Sequence, residues 1–407
     1  MTKQKFEVQR HLELVYVARQ NGDIPQPGPD EVLLQMVACG ICGADIRVMT
    51  GNKVASGEAG CYTTLGHEGV GRVVAMGKNV STWQLGDYAV ILPHVHRCVQ
   101  DITCLASHIN PVCIGNGHTL HMGWDIDGCF TDFMVVSTAN LVRVTQRQRR
   151  LAAKQAPVLR EAIFALVEPM LCTLSAYEIM KTHLHDNLPV GRALVIGCGP
   201  IGILHSLTLL ERGFEVWITD VVQKRVELAQ WCLDQRVRSF DPLKQNMAFD
   251  LAMVTASSAA AIQTGEMFVR KGGIVYLFAG LNTADRSAMD KDDMFLYEPV
   301  HRKAQSIHTT LRLVREERSI LYLGHSGYYE KLAPQAIAAV AANAAALDRA
   351  ITGVIPGFTS AHIVSRLPGG VDWKTPDDSP AVVSVLKGAN LLARHCKLLV
   401  LASAENH

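Results

Sequence analysis

The six residues Gly197-Cys198-Gly199-Pro200-Ile201-Gly202 constrain this chain more than any others. A GxGxxG on its own is weak, because glycines punctuate many turns. This one directly follows a strand-like run, Arg192 to Ile196, and opens a helix-like one, Pro200 to Arg212. Asp220 then closes the next strand-like run, Glu215 to Thr219, 18 residues beyond Gly202. That order predicts a strand, a tight turn, a helix and a second, parallel strand. Gly197 suits the turn, Gly199 would let a pyrophosphate approach the backbone, and Gly202 lets the helix pack on the sheet. At Pro200 and Ile201 the helix begins, and its first N–H groups and positive dipole end favour an anion. A carboxylate at Asp220 would accept hydrogen bonds from ribose hydroxyls and repel a 2′-phosphate, which favours NAD over NADP. Lys224 and Arg225 weigh the other way, since cations there can hold a 2′-phosphate. The plain alternative is a glycine turn in an unliganded α/β domain.

The alternation continues around this motif. Gln223 to Asp234 is amphipathic, Phe249 to Thr255 and Gly273 to Phe278 read as strands, and Ala259 to Val269 as a helix between them. After a polar excursion, Asn282 to Lys303, comes a last strand, Ile320 to Leu323. Strands separated by helix-length segments imply a parallel sheet covered on both faces. The first 145 or so residues differ: short β-like runs such as Glu31 to Met36 and Val70 to Ala75 lie between frequent glycines, the pattern of a turn-rich β domain. A basic stretch, Arg143 to Lys154, reads as a solvated helix face. The tail carries an alanine-rich helix, about Pro334 to Asp348, a Gly/Pro/Asp-rich loop from Leu367 to Pro380, and an apolar strand, Lys397 to Ala402.

Composition excludes several classes. With 39 Lys+Arg against 38 Asp+Glu in 407 residues the net charge is +1, too neutral for a general nucleic-acid binder or a polybasic membrane-surface protein. Hydrophobic residues at 48% suffice for packed cores,. The window Ala193 to Leu210 approaches membrane-spanning length, but its glycines, proline and His205 fit strand–turn–helix better,. The first residues lack an apolar signal core, so a soluble, cytoplasmic protein is expected. Eleven cysteines without such a signal point to buried or metal-binding thiols rather than disulfides,.

Two clusters could bind metal. Cys39-Gly40-Ile41-Cys42-Gly43-Ala44-Asp45 is followed, 25 residues after Cys42, by Gly66-His67-Glu68-Gly69. A thiol, an imidazole and a carboxylate hemmed by glycines suit zinc, because glycines let loops converge on one ion. Glu168, in Val167-Glu168-Pro169-Met170, is the remaining plausible ligand. Cys98, Asp101, Cys104 and Cys113 have a spacing that suits a closed structural zinc,. The alternative there is a loop of unliganded thiols.

In this order, CGICGAD, GHEGVGRVVAMGKNV from Gly66, GDYAVI from Gly86, DGCFTDFMVV from Asp127, VEPMLCTLSAY from Val167, VIGCGPIG from Val195 and ITGVIP at 351–356 resemble the zinc-dependent medium-chain dehydrogenase/reductase family, which includes alcohol, sorbitol and threonine dehydrogenases. The resemblance spans nearly the whole chain. It implies an α/β protein in which a small-chaperonin-like β-barrel catalytic domain (1–165 and 326–407) is interrupted by a Rossmann domain (166–325). It also implies Cys42, rather than Cys39, and His67 as catalytic zinc ligands, with Glu168 at the position where sorbitol-type members place a glutamate. Glu68 matches a carboxylate that can visit the metal.

Two departures stand out. Ala44 replaces a Ser or Thr that relays the substrate proton, and Arg47 stands where some members have a histidine. In the second cluster Asp101 replaces a cysteine, with one extra residue before Cys113. The segment Pro93 to Arg97 borders the substrate pocket in the family, so His94 is the first candidate proton acceptor and His96 the second. The two are expected to face opposite ways on an extended segment. Arg47 leaves room for an anionic substrate, a phosphorylated one included. The expected activity is a zinc- and NAD-dependent dehydrogenase of a secondary alcohol in a polyol, sugar or amino alcohol, working as a homodimer or homotetramer. A zinc-free reductase of the same superfamily and a non-catalytic nucleotide-binding sensor are the rivals.

Overall fold

The computed structural model describes residues 3–9, 16–22, 24–49, 62–96, 119–184, 191–281, 309–315, 318–325, 327–357, 362–367, 372–374 and 397–401. They form two compact units. The first is drawn from the chain up to Arg97, from Thr119–Glu168 and from Ala333 onward; the second is Pro169–Leu332.

The first unit is β-rich. Its central strand, Glu31–Gly40, is flanked by Glu68–Met76 and Phe133–Ser137 from nearby sequence and by Lys397–Leu401 from the far end of the chain. Leu399 faces Gly40 and Val400 faces Cys39 in that last pairing. Strand Ile351–Pro356 runs parallel to Lys397–Leu401 on its other side, so both ends of the chain build one sheet. Beneath it lies an apolar cluster that includes Leu34, Met36, Ile41, Leu65, Phe130, Ile355 and Val400. Helix Gln146–Gln155 begins at Thr145, which forms a capping box with Gln148,. The alanine-rich stretch is two helices, Ala333–Ala342 and Ala344–Ala350, and not the single helix expected. The break falls at Asn343, whose side-chain amide donates to the Ala339 carbonyl at 2.9 Å. An asparagine bonded to nearby backbone competes with the helix in this way.

The second unit is a parallel sheet in the order Arg238–Ser239, Glu215–Thr219, Arg192–Ile196, Phe249–Val254, Val269–Leu277 and Arg318–Gly324. Thr309–Arg315 is antiparallel at its edge. Helices Pro200–Glu211, Gln223–Cys232 and Ala259–Phe268 connect the parallel strands. Two of the five expected strands have the bounds read from the sequence and the other three agree within a few residues, whereas Arg238–Ser239 and Thr309–Arg315 were not expected. The run Arg160–Lys181 is long and apolar enough to cross a membrane by composition, but it is largely buried within the protein. The excursion Asn282 to Lys303 lies outside the described residues, as does most of the loop Leu367 to Pro380.

His205, on helix Pro200–Glu211, is 1% exposed and meets Phe278 edge-on at 4.5 Å. Burial first, and His325 second, push its pKa down to about 3. The unfolded chain takes up this proton near pH 6.5, whereas the folded protein resists it until about pH 3. The stability that the neutral ring confers is therefore complete above about pH 6.5 and drains away as pH falls towards 3. Between about pH 7 and pH 4 this group removes roughly 3 kcal/mol. His205→Leu should flatten the pH dependence of denaturant unfolding over that window. Identical profiles for both proteins would show that His205 is not held neutral.

Candidate metal centre and nucleotide-binding loop

Cys42 immediately precedes the short helix Gly43–Met49, and that geometry turns backbone donors towards its sulfur. The Ala44 N–H donates to Cys42 Sγ at 3.5 Å. Asp45, in the first turn, reaches back: its Oδ2 accepts from Cys42 N at 2.9 Å and its Oδ1 from Gly66 N at 3.2 Å. One carboxylate thus ties the cysteine segment to the histidine segment.

Cys42, His67 and Glu68 offer ligand atoms that all lie within 4.8 Å of one another. His67 is 3% exposed and Glu68 1%. Asp45 Oδ1 lies 3.4 Å from His67 Nδ1, which leaves Nε2 as the ligand nitrogen. A carboxylate behind a ligating imidazole fixes its tautomer and raises its basicity. Burial would lower the pKa of His67, but the charges of Asp45 and Cys42 beside it hold it well above the usual histidine value. A buried sulfur, nitrogen and oxygen set of this kind fits a borderline-soft divalent ion such as zinc.

Glu168 opens the helix Val167–Lys181 and is 8% exposed, but it is not part of this three-residue cluster. Cys39 is also outside it. Its thiol is in the core, where burial and a hydrogen bond with Cys129 raise its pKa well above the usual value. Cys98, Asp101, Cys104 and Cys113 lie outside the described residues. Arg47 is exposed on helix Gly43–Met49.

Next to His67 stand two aromatic residues that the sequence reading did not single out. His121 stacks on Trp124 at 3.6 Å, and each meets His67 edge-on, at 5.3 and 5.2 Å. His121 Nδ1 donates to the Met122 carbonyl at 2.6 Å. His94 pairs across the strands with His121, ring to ring at 5.0 Å. A line of imidazoles therefore runs from His67 through His121 to His94. The expectation that His94 and His96 face opposite ways is corrected by the strand His94–His96: residues two apart on a strand share a face, and the residue between them takes the other. Of His96 only its place in the strand is described.

In the second unit, Gly197 has φ +105° and its carbonyl accepts from Thr255 Oγ1 at 2.9 Å. Gly202 packs so tightly that a Cβ would stand 1.9 Å from the Gly197 oxygen, whereas a Cβ on Gly199 would meet nothing within 4 Å. Helix Pro200–Glu211 has no side-chain cap, so the N–H groups of its first turn are available to an anion. Asp220 Oδ2 accepts from Cys198 N at 2.8 Å and Oδ1 from Val222 N at 2.9 Å. Both bonds hold the carboxylate beside the loop, as a dinucleotide's ribose requires. The Cys198 thiol is pushed far up by burial and by the Asp220 charge, with Arg225 opposing them. It is inert, and Arg225 lies close enough to be felt there.

Comparison with known proteins bears on both sites. The sequence profile of the alcohol dehydrogenase GroES-like domain matches residues 28–146, which contain Cys42, His67 and Glu68. L-threonine 3-dehydrogenase of Caldanaerobacter subterraneus subsp. tengcongensis is 28% identical over 268 residues, 62% of this chain and 69% of that protein. L-galactonate-5-dehydrogenase of Escherichia coli is 28% identical over 284 residues, 67% of this chain and 74% of that one. The solved structure of Haloferax mediterranei glucose dehydrogenase in complex with NADP, Zn and gluconolactone is similar with a TM-score of 0.67 at 15% identity, covering 98% of this chain and 99% of that one. This last likeness is one of fold.

Proposed function

Because the chain belongs to the medium-chain dehydrogenase/reductase family, we propose that it is a zinc- and NAD-dependent dehydrogenase. Its substrate is a secondary alcohol in a polyol, sugar or amino alcohol, interconverted with the matching ketone. The buried Cys42–His67–Glu68 cluster carries this reading. When bound, zinc supplies Lewis acidity for the substrate oxygen and the nicotinamide takes up hydride. The chain's own residues do the rest. Cys42, His67 and Glu168 would hold the ion, with water or Glu68 completing the shell, and Asp45 orients His67. Relatives named for threonine and galactonate support a hydroxylated, charged substrate, and exposed Arg47 suits an anionic one. Turnover of NAD with a panel of polyols, sugar acids and amino alcohols, with and without chelator, tests the reading. Turnover that a strong chelator leaves intact would refute the metal.

Asp220 is proposed to select NAD. Removing its carboxylate in Asp220→Ala should narrow the preference over NADP about tenfold, the worth of one charged hydrogen bond. A wild-type enzyme preferring NADP would overturn this and direct attention to Lys224 and Arg225.

With Ala44 unable to relay a proton, His94, which stands ring to ring with His121 at 5.0 Å, is proposed to accept it from the substrate alcohol. A histidine titrates near neutral pH, so His94→Asn should lower turnover and change its pH profile. An unaltered profile would favour a path through water. Cys98, Asp101, Cys104 and Cys113 are proposed to hold a second, structural zinc, which a metal content above one per chain would support and a content of one would exclude.

A further inference from the structure

One buried ion pair joins the ligand cluster to a residue, Lys397, that has no part in the reading above. Lys397 opens the strand that the far end of the chain lays against Glu31–Gly40. Its Nζ lies 2.5 Å from Glu68 Oε2 and donates to the Ile41 carbonyl at 2.9 Å. Lys397 is 4% exposed and Glu68 1%. The backbone is shaped around this contact: a Cβ on Gly40 would stand 1.9 Å from Glu68 Oε2 and 3.1 Å from Lys397 Cε.

We propose that Lys397 is a positioning residue that holds Glu68 out of the coordination shell of a metal bound at Cys42 and His67. This rests on the metal reading given above. A catalytic zinc must keep an open position for substrate, and a buried carboxylate within reach of the same point would fill it. Charge explains the restraint. A thiolate at Cys42 and carboxylates at Asp45 and Glu68 already present three negative charges, more than a divalent ion balances, and Glu168 as a ligand would add a fourth. Lys397 supplies a further positive charge and places it on Glu68. Without it, Glu68 would be a buried carboxylate lacking its counter-ion, a costly state. The nearest remaining cation would be the metal, and Glu68 would turn to it.

The test uses the full-length protein loaded with cobalt(II), whose visible spectrum reports coordination number. Lys397→Met should shift the spectrum towards higher coordination and slow metal release to a chelator by about tenfold or more. Lys397→Arg should restore wild-type behaviour, and the Lys397→Met effect should vanish when Glu68→Gln is added. An unchanged spectrum in Lys397→Met, or a shift that persists with Glu68→Gln, would overturn the proposal. Glu68→Gln by itself should leave the cobalt spectrum as it is. If it alters the spectrum, Glu68 is already a ligand and the proposal fails, whether or not Lys397→Met folds. A thiolate-to-cobalt band that disappears in Cys42→Ser identifies the centre. Its absence would sink the metal reading itself, a result distinct from a failure of Lys397.

Discussion

The His67→Ala protein is expected to lose its catalytic metal and to fall about a thousandfold in kcat/KM, with Cys42→Ser close behind. Lewis-acid stabilisation of a developing oxyanion is worth several kcal/mol, and each 1.4 kcal/mol is about tenfold in rate. His67 and Cys42 lie on separate segments that Asp45 joins through the Cys42 and Gly66 amides. Either loss leaves too few donors for tight binding. Asp45→Asn should be milder, about 10- to 100-fold, because it loosens the imidazole without removing a ligand. Elemental analysis and steady-state kinetics on the three variants check this. Full metal and activity in both His67→Ala and Cys42→Ser would mean that the cluster is not the catalytic centre.

The second large effect separates two glycines of one motif. In Gly202→Ala the new Cβ would stand 1.9 Å from the backbone oxygen of Gly197. Gly197 is already held at φ +105° and bonded by Thr255, so it has little room to retreat. The expected cost is about 3 kcal/mol of stability in denaturant unfolding. In Gly199→Ala the Cβ would meet nothing within 4 Å, and the residue's φ of −74° suits alanine. That protein should keep its stability to within about 0.5 kcal/mol. It should bind NADH at least about tenfold more weakly, because the methyl group occupies the space through which a pyrophosphate approaches the backbone. Fluorescence titration of NADH against both variants decides the matter. A Gly199→Ala protein with normal affinity would place the dinucleotide elsewhere.

Local pattern was enough for five strands of the second unit, though not for Arg238–Ser239 or Thr309–Arg315. Arg192–Ile196 and Glu215–Thr219 have the same bounds in the structure as in the periodicity, because buried parallel strands are continuous apolar runs and the helix between them starts at Pro200 and stops before Gly213, whose φ is +83°,. Cys42 and His67 were legible for a related reason: each sits among glycines in its own short segment. Asn343 shows the limit even of local reading. The alanines on either side favour helix, and only the competing side-chain bond to Ala339 marks the break. Asp45 lay in plain view in the motif, but its task of bridging Cys42 and His67 depends on how two distant segments meet. His121 and Trp124 gave no signal, since an isolated histidine or tryptophan in a short β run looks like any packed ring. Lys397 is the clearest case. As a residue it opens an unremarkable apolar strand, and it reaches Glu68 because Lys397–Leu401 pairs with Glu31–Gly40 across most of the chain. Periodicity and turn chemistry are properties of neighbours along the chain and can be read there. Which strand lies beside which, in what register, follows from burying the whole apolar surface at once, and that decided what surrounds Cys42 and His67.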